Sequence, residues 1–230
     1  MIDSTLTNAP DAFPVEASSF TLAGPAGKLE VATDVATPSH ARRATAVICH
    51  PHPLQGGTMH NKVVTIVERA LRESGVDTVR FNFRGVGASE GSFDDARGEG
   101  DDLAAVVAWA RRMHPDDELW LAGFSFGSYV SLANAEKLGA KTLISIAPPV
   151  GRSYDFDSIA LPRGHWLVVQ GEADEVVDPE AVFAWLDAID AEPVVVRMPD
   201  TSHFFHRRLL DLRGAVKNAI RTWLPAERQA

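Results

Sequence analysis

Leu119-Trp120-Leu121-Ala122-Gly123-Phe124-Ser125-Phe126-Gly127-Ser128-Tyr129-Val130-Ser131-Leu132 is the stretch on which the fold turns. Four apolar residues lead into Gly-x-Ser-x-Gly, and a segment running through Tyr129 and Leu132 follows. A short apolar run bounded by glycine reads as a buried strand and the segment beyond it as a helix, which puts Ser125 at the turn between them. So sharp a strand-to-helix turn strains the serine backbone. Glycine on both sides makes the turn possible and leaves the hydroxyl clear of the chain, ready to act as a nucleophile. The pentapeptide alone is also compatible with a plain glycine-rich turn; the flanking strand and helix single out the nucleophile.

Outward from this turn, short apolar runs alternate with longer amphipathic segments. Strands are expected at 44–49, 77–83, 118–123, 142–147, 165–170 and 193–198, and helices at 61–73, 98–112, 128–137, 179–189 and 208–223. This alternation implies an α/β fold, a mostly parallel sheet with helices on both faces. Ahead of it, residues 19–22 and 28–33 flank Gly24-Pro25-Ala26-Gly27 and read as an antiparallel N-terminal hairpin. Residues 1–17 lack periodicity and are expected to form a loosely held arm, which leaves 18–230 as a single domain. The irregular stretch 148–162 is too short for a large cap domain. In the helix from Gly98, Leu103, Val106, Val107, Trp109 and Ala110 form a buried stripe, with Asp101, Asp102 and Arg111 expected to face water. Asp178 before Pro179 reads as a helix N-cap.

A serine hydroxyl needs a base to take its proton as it attacks. His203 lies in Pro199-Asp200-Thr201-Ser202-His203-Phe204-Phe205, between the last strand and the last helix, where a loop can turn back toward Ser125. Its nearest rival, His206, sits beside the helix start and is expected to be exposed. The base in turn needs a carboxylate to orient it. Four acids, Glu172, Asp174, Glu175 and Asp178, follow the strand 165–170; Asp178 is engaged as a cap, and Glu172 and Glu175 read as solvated, so Asp174 is the orienting acid.

Ser125, Asp174 and His203, in that chain order and each after a successive strand, resemble the triad of the α/β-hydrolase superfamily. The resemblance runs from about Ser18 to Leu224 and includes Phe83-Arg84-Gly85-Val86-Gly87-Ala88-Ser89. His50-Pro51-His52-Pro53, followed by Gly56-Gly57, is similar to a segment of a compact, lidless bacterial subgroup. The resemblance implies a serine hydrolase acting through an acyl-enzyme, as a carboxylesterase or thioesterase, and the short segment between Pro148 and Pro162 suggests an open, lightly covered site and hence small or medium acyl substrates. The oxyanion formed on attack requires backbone donors. The N–H of Phe126 supplies one. The second comes from the loop after Cys49, where Pro51 and Pro53 have no N–H to give; His52 and Leu54 remain, and hydrolases with His-Gly at this place favour His52.

Other chemistries fit less well. His50 and His52, with His60, could form a metal site, but no further ligand of matching pattern follows, and no metal is expected. Gly85-x-Gly87 with Gly91 is superficially like a dinucleotide loop, yet no helix opens at those glycines and no cofactor is expected. Arg84 reads as a structural donor. A noncatalytic ligand-binding protein on the same fold remains the alternative. The aromatics Phe124, Phe126, Tyr129, Phe204 and Phe205 suit an acyl slot and core packing equally.

The composition agrees with this reading. Apolar residues make up 45% and charged residues 23%, values of an ordinary globular chain. A net charge of -9 would repel a phosphate backbone, which excludes nucleic acid as a partner. Arg207, Arg208 and Arg213 read as a solvated helix face. No apolar run reaches bilayer length, no leader pattern is visible at Met1, and the single cysteine, Cys49, permits no intramolecular disulfide. These features point to a cytoplasmic protein that engages no membrane. Cys49 itself ends an apolar run and reads as a core residue.

Overall fold

The computed structural model describes residues 6–228. Its order of elements is β1 (Thr7–Asn8), β2 (Ser18–Gly24), β3 (Gly27–Asp34), β4 (Ala44–Cys49), α1 (Lys62–Glu73), β5 (Asp77–Phe81), α2 (Arg97–Met113), β6 (Glu118–Phe124), α3 (Phe126–Leu138), β7 (Thr142–Ile146), β8 (His165–Gly171), α4 (Pro179–Ala188), β9 (Val194–Met198) and α5 (Leu209–Ile220). The strands form one sheet in the order β1-β2-β3-β5-β4-β6-β7-β8-β9, antiparallel only at β2–β3 and β3–β5. This is the expected α/β fold, a mostly parallel sheet with an antiparallel N-terminal hairpin.

Side-chain alternation along the central strand assigns the two faces. Leu119 and Leu121 of β6 point into a core shared with α2, α3 and α4, while Trp120, Ala122 and Phe124 point into a second core shared with α1 and α5. Burial on both faces explains why β4, β5 and β7 are apolar or buried throughout rather than alternating with exposed polar residues. Within the segment expected as a loose arm, Thr7–Asn8 pairs in parallel with Phe20 and Thr21, and Phe13 stacks on Trp109 and His114.

Three local expectations need correction. Asp102 does not face water. It is completely buried and receives a two-pronged bond from the guanidinium of Arg84, at 2.8 and 3.0 Å. The helix after Ser125 starts at Phe126, not 128, because the chain turns straight from the serine into α3. Arg207 and Arg208 precede α5, where Phe205 and Arg207 adopt positive φ; Arg213 and Lys217 on α5 bond Glu73 of α1 at 3.1 and 2.9 Å. At the amino-terminal edge of the parallel strands, opposite the carboxyl edge where Ser125 sits, the Arg228 guanidinium bridges Asp77 and Asp117, and Thr45 and His114 complete the cluster. Among the described residues no helix is long and apolar enough to cross a membrane.

Candidate active site

Ser125 follows β6 directly and has φ 53° and ψ -121°, a backbone conformation that side chains other than hydrogen rarely adopt. Its N–H donates to the Ile146 carbonyl at 2.9 Å and its carbonyl accepts from the Ser128 hydroxyl at 2.8 Å, so the strain is held from both sides. The flanking glycines are required by proximity. A Cβ on Gly123 would lie 2.2 Å from the Gly127 carbonyl oxygen, and one on Gly127 would lie 2.3 and 2.5 Å from the carbonyl oxygens of Cys49 and His50. Strand β6, helix α3 and the loop after β4 are thereby drawn together around one hydroxyl.

The loops after β8 and β9 bring the other two residues to it. His203 is 2% exposed, with Nε2 3.1 Å from Ser125 Oγ and Nδ1 2.8 Å from Asp174 Oδ2. A carboxylate oxygen beside Nδ1 draws the imidazole proton there, leaving the Nε2 lone pair to accept from the serine hydroxyl. Burial opposes the charge on Asp174, but hydrogen bonds from His203, Val177 and Val176 outweigh it and hold its carboxyl below the usual aspartate range. His206 is exposed and its ring packs beside Phe204, away from this chain of bonds.

Two residues that the sequence reading did not single out complete the arrangement. Gln170, fully buried, donates its amide to Asp174 Oδ2 at 3.0 Å, the same oxygen that meets His203. Glu175, read as solvated, is exposed but accepts the backbone N–H of His203 at 3.1 Å.

The loop after β4 carries another, which the sequence reading weighed only as a metal ligand and as part of the His50-Pro51-His52-Pro53 segment. His50 is completely buried, donating Nδ1–H to the Pro51 carbonyl at 2.7 Å and accepting the Phe83 N–H on Nε2 at 3.0 Å. Burial pushes its pKa down to about 4, so it is neutral. Both ring nitrogens are engaged, which removes His50 from the metal reading and makes it the brace of the His50-Pro51-His52-Pro53 turn. His52 packs its ring against Phe93 and Phe126, and its Nδ1 accepts the Leu54 N–H at 3.2 Å. Of the two candidate second donors, Leu54 therefore has its N–H engaged and its side chain 69% exposed. The His52 N–H has no acceptor among the described residues, and the Phe126 N–H, first in α3, has no carbonyl one turn earlier in its helix.

These groups open onto a cleft of 460 Å³. Phe126, Tyr154, Val177 and Phe204 give it apolar wall, while Gln55 and Asn61 give it polar edges. Phe124 and Phe205 lie in the core beneath, and Tyr129 stacks on Tyr154 from behind. Gly85 and Gly87 flank turns held by Arg84 and Asn82, and α2 opens only at Arg97, so the glycines do not lead directly into a helix. Among the described residues no group of three or more histidine, cysteine or acidic side chains is placed to hold a metal.

The chain is similar to proteins of related architecture along most of its length. Residues 48–184 match the family model described as alpha/beta hydrolase fold. A Xanthomonas campestris α/β serine hydrolase without a lid shares 56% identity at a TM-score of 0.91, over 96% of this chain and 100% of that one. A Coxiella burnetii α-β serine hydrolase homologue shares 45% identity at a TM-score of 0.86, over 90% of this chain and 99% of that one. An uncharacterized protein of Rickettsia prowazekii is 30% identical over 208 residues, covering 86% of this chain and 87% of its own length. With the strand order, the elbow at Ser125 and these matches together, the chain belongs to the α/β-hydrolase family, in its compact branch without a lid.

Proposed function

We propose that the protein is a serine hydrolase that cleaves carboxylester or thioester bonds of small or medium acyl substrates through an acyl-enzyme on Ser125. The observation that carries this reading is the unbroken line of bonds from Ser125 Oγ to His203 to Asp174, at 3.1 and 2.8 Å, at the floor of the cleft. As Ser125 Oγ attacks the carbonyl carbon, His203 Nε2 takes its proton and Asp174 stabilises the resulting imidazolium. The negative oxygen of the tetrahedral adduct is met by the N–H groups of Phe126 and His52. Collapse of the adduct expels the alcohol or thiol with the proton from His203. A water molecule, deprotonated by the same nitrogen, then releases the acid and regenerates Ser125. A cleft of 460 Å³ falls within the range of pockets that bury a small organic ligand, which supports the substrate size.

The test is intact-mass measurement after exposure to a fluorophosphonate. The native protein should gain one adduct and Ser125→Ala none. A folded native protein that gains no adduct would instead favour a ligand-binding protein that uses the cleft without chemistry.

A further inference from the structure

Arg152 is the only arginine, lysine, aspartate or glutamate among the residues that line the catalytic cleft. It is also free of the partners that occupy other arginines. Arg84 is locked on Asp102, Arg80 on Asp34 and Arg213 on Glu73, whereas Arg152 makes no ion pair among the described residues. Arg152 is exposed, but the loop that carries it is held at several points. Its backbone N–H donates to the Pro149 carbonyl at 3.3 Å, within a turn closed by the Val150 N–H on Pro148. Two residues on, Tyr154 is pinned by stacking on Tyr129 at 4.8 Å and by Phe126 at 5.7 Å, and Phe156 by Trp185 at 5.1 Å. The base of the side chain is therefore fixed at the rim while its head is left without a counter-ion.

The surrounding charge makes this placement consequential. The chain carries a net charge of -9, and Asp95, Asp155 and Glu175 all lie near the cleft without lining it. An anionic group on the substrate would find no lysine or arginine but Arg152 among the residues lining the cleft, with Asp95, Asp155 and Glu175 repelling it from nearby, while a neutral one would need no cation there. We propose, building on the hydrolase reading above, that the protein selects acyl substrates bearing a second, anionic group, a carboxylate or a phosphate, and that Arg152 is the residue that recognises it. A planar guanidinium offers parallel donors matched to either oxyanion, and the apolar wall of Phe126, Tyr154 and Val177 accepts the carbon chain between that group and the scissile carbonyl.

Two pairs of probes test this. On the acyl side, mono-4-nitrophenyl adipate and 4-nitrophenyl hexanoate differ in a terminal carboxylate replacing a methyl group. On the alcohol side, 4-acetoxybenzoate and its methyl ester differ in a free carboxylate against a neutral methyl carboxylate ester, with the acetyl ester the bond followed in both. The native protein should prefer the anionic member of at least one pair in kcat/KM. Arg152→Ala should lower that preference by about five- to tenfold, the range for one partly exposed charge-assisted contact. Arg152→Glu should reverse it, Arg152→Lys should keep most of it, and salt should weaken it in the native protein and in Arg152→Lys but not in Arg152→Ala. Turnover of the neutral probes should stay within twofold in all three variants, since Arg152 touches none of the triad. If the neutral probes are hydrolysed normally but the anionic-to-neutral ratio stays within twofold of native in both pairs for Arg152→Ala and Arg152→Glu, the recognition role is wrong and the hydrolase reading stands. If the native protein hydrolyses none of the four probes, both fail together.

Discussion

Gly127→Ala should damage chemistry far more than folding. A methyl group there would sit 2.3 Å from the Cys49 carbonyl oxygen and 2.5 Å from that of His50, where ordinary contact begins at 3.4 Å. Something must move by about 1 Å, and the obstacles are backbone atoms, so either α3 or the loop after β4 gives way. Overpacking of this kind costs about 1–3 kcal/mol, while alanine in place of helical glycine returns about 1 kcal/mol, so the net loss of stability should be about 0–2 kcal/mol. The two backbone groups assigned to the oxyanion lie on either side of the obstruction: the Phe126 N–H immediately before Gly127, and the His52 N–H two residues beyond His50. A 1 Å misplacement of such groups can lower the rate by about 100-fold. The assay is kcat/KM on the fastest ester found, beside urea denaturation. Gly139→Ala is the control, with a left-handed φ of 63° and nothing nearer its added Cβ than an Arg111 nitrogen at 3.6 Å. It should lose about 1 kcal/mol of stability and keep its activity within twofold. If Gly127→Ala loses the expected stability yet stays within threefold of native activity, the assignment of Phe126 and His52 as oxyanion donors is refuted.

The triad makes a simpler prediction: Ser125→Ala and His203→Ala should each lower kcat by about 10^4-fold, while His206→Ala stays within twofold. Gln170→Met, which removes the amide donor to Asp174 at nearly constant length, should lower kcat by about tenfold with KM unchanged; an unaltered kcat at an unaltered melting temperature would mean that Asp174 is held by other bonds alone. His50 should make the fold acid-sensitive. Its folded pKa of about 4 lies below the ordinary 6.5, so the unfolded chain binds the proton first and stability falls as pH drops through that window. Between pH 7 and 4.5 this amounts to about 2–3 kcal/mol. In His50→Gln, the drop in urea-unfolding free energy over the same interval should be smaller by about that amount, and an equal drop would show that His50 does not titrate in this way.

That Ser125, Asp174 and His203 come within hydrogen-bond reach of one another was legible in the sequence because each is constrained locally: glycine neighbours and a strand-helix switch for the serine, a position just after a parallel strand for the other two. The residues behind them are defined by partners distant in the chain. Glu175 becomes relevant only when the loop 28 residues later folds back onto it. Asp102 was misread from its charge, although the helical period held the answer. Asp102, Val106, Trp109 and Ala110 fall at i, i+4, i+7 and i+8, so the aspartate lies on the apolar stripe and had to find a buried cation. Gln170 carried a similar signal, as a polar residue sharing its strand parity with the core residues Trp166 and Val168. Choosing between His52 and Leu54 required knowing that the His52 ring turns back on the Leu54 N–H, a side-chain geometry that no spacing encodes.

The cluster at the far edge of the sheet bears on the order in which the molecule assembles. Arg228 joins Asp77 across 151 residues of sequence and Asp117 across 111. Links so distant in the chain form late, since every intervening strand must first be in place for the ends to meet. During synthesis, both carboxylates and the strand ends around them wait for a cation that leaves the ribosome after every strand and helix described above. The edge that carries Ser125, Asp174 and His203 can be complete before the opposite edge is sealed.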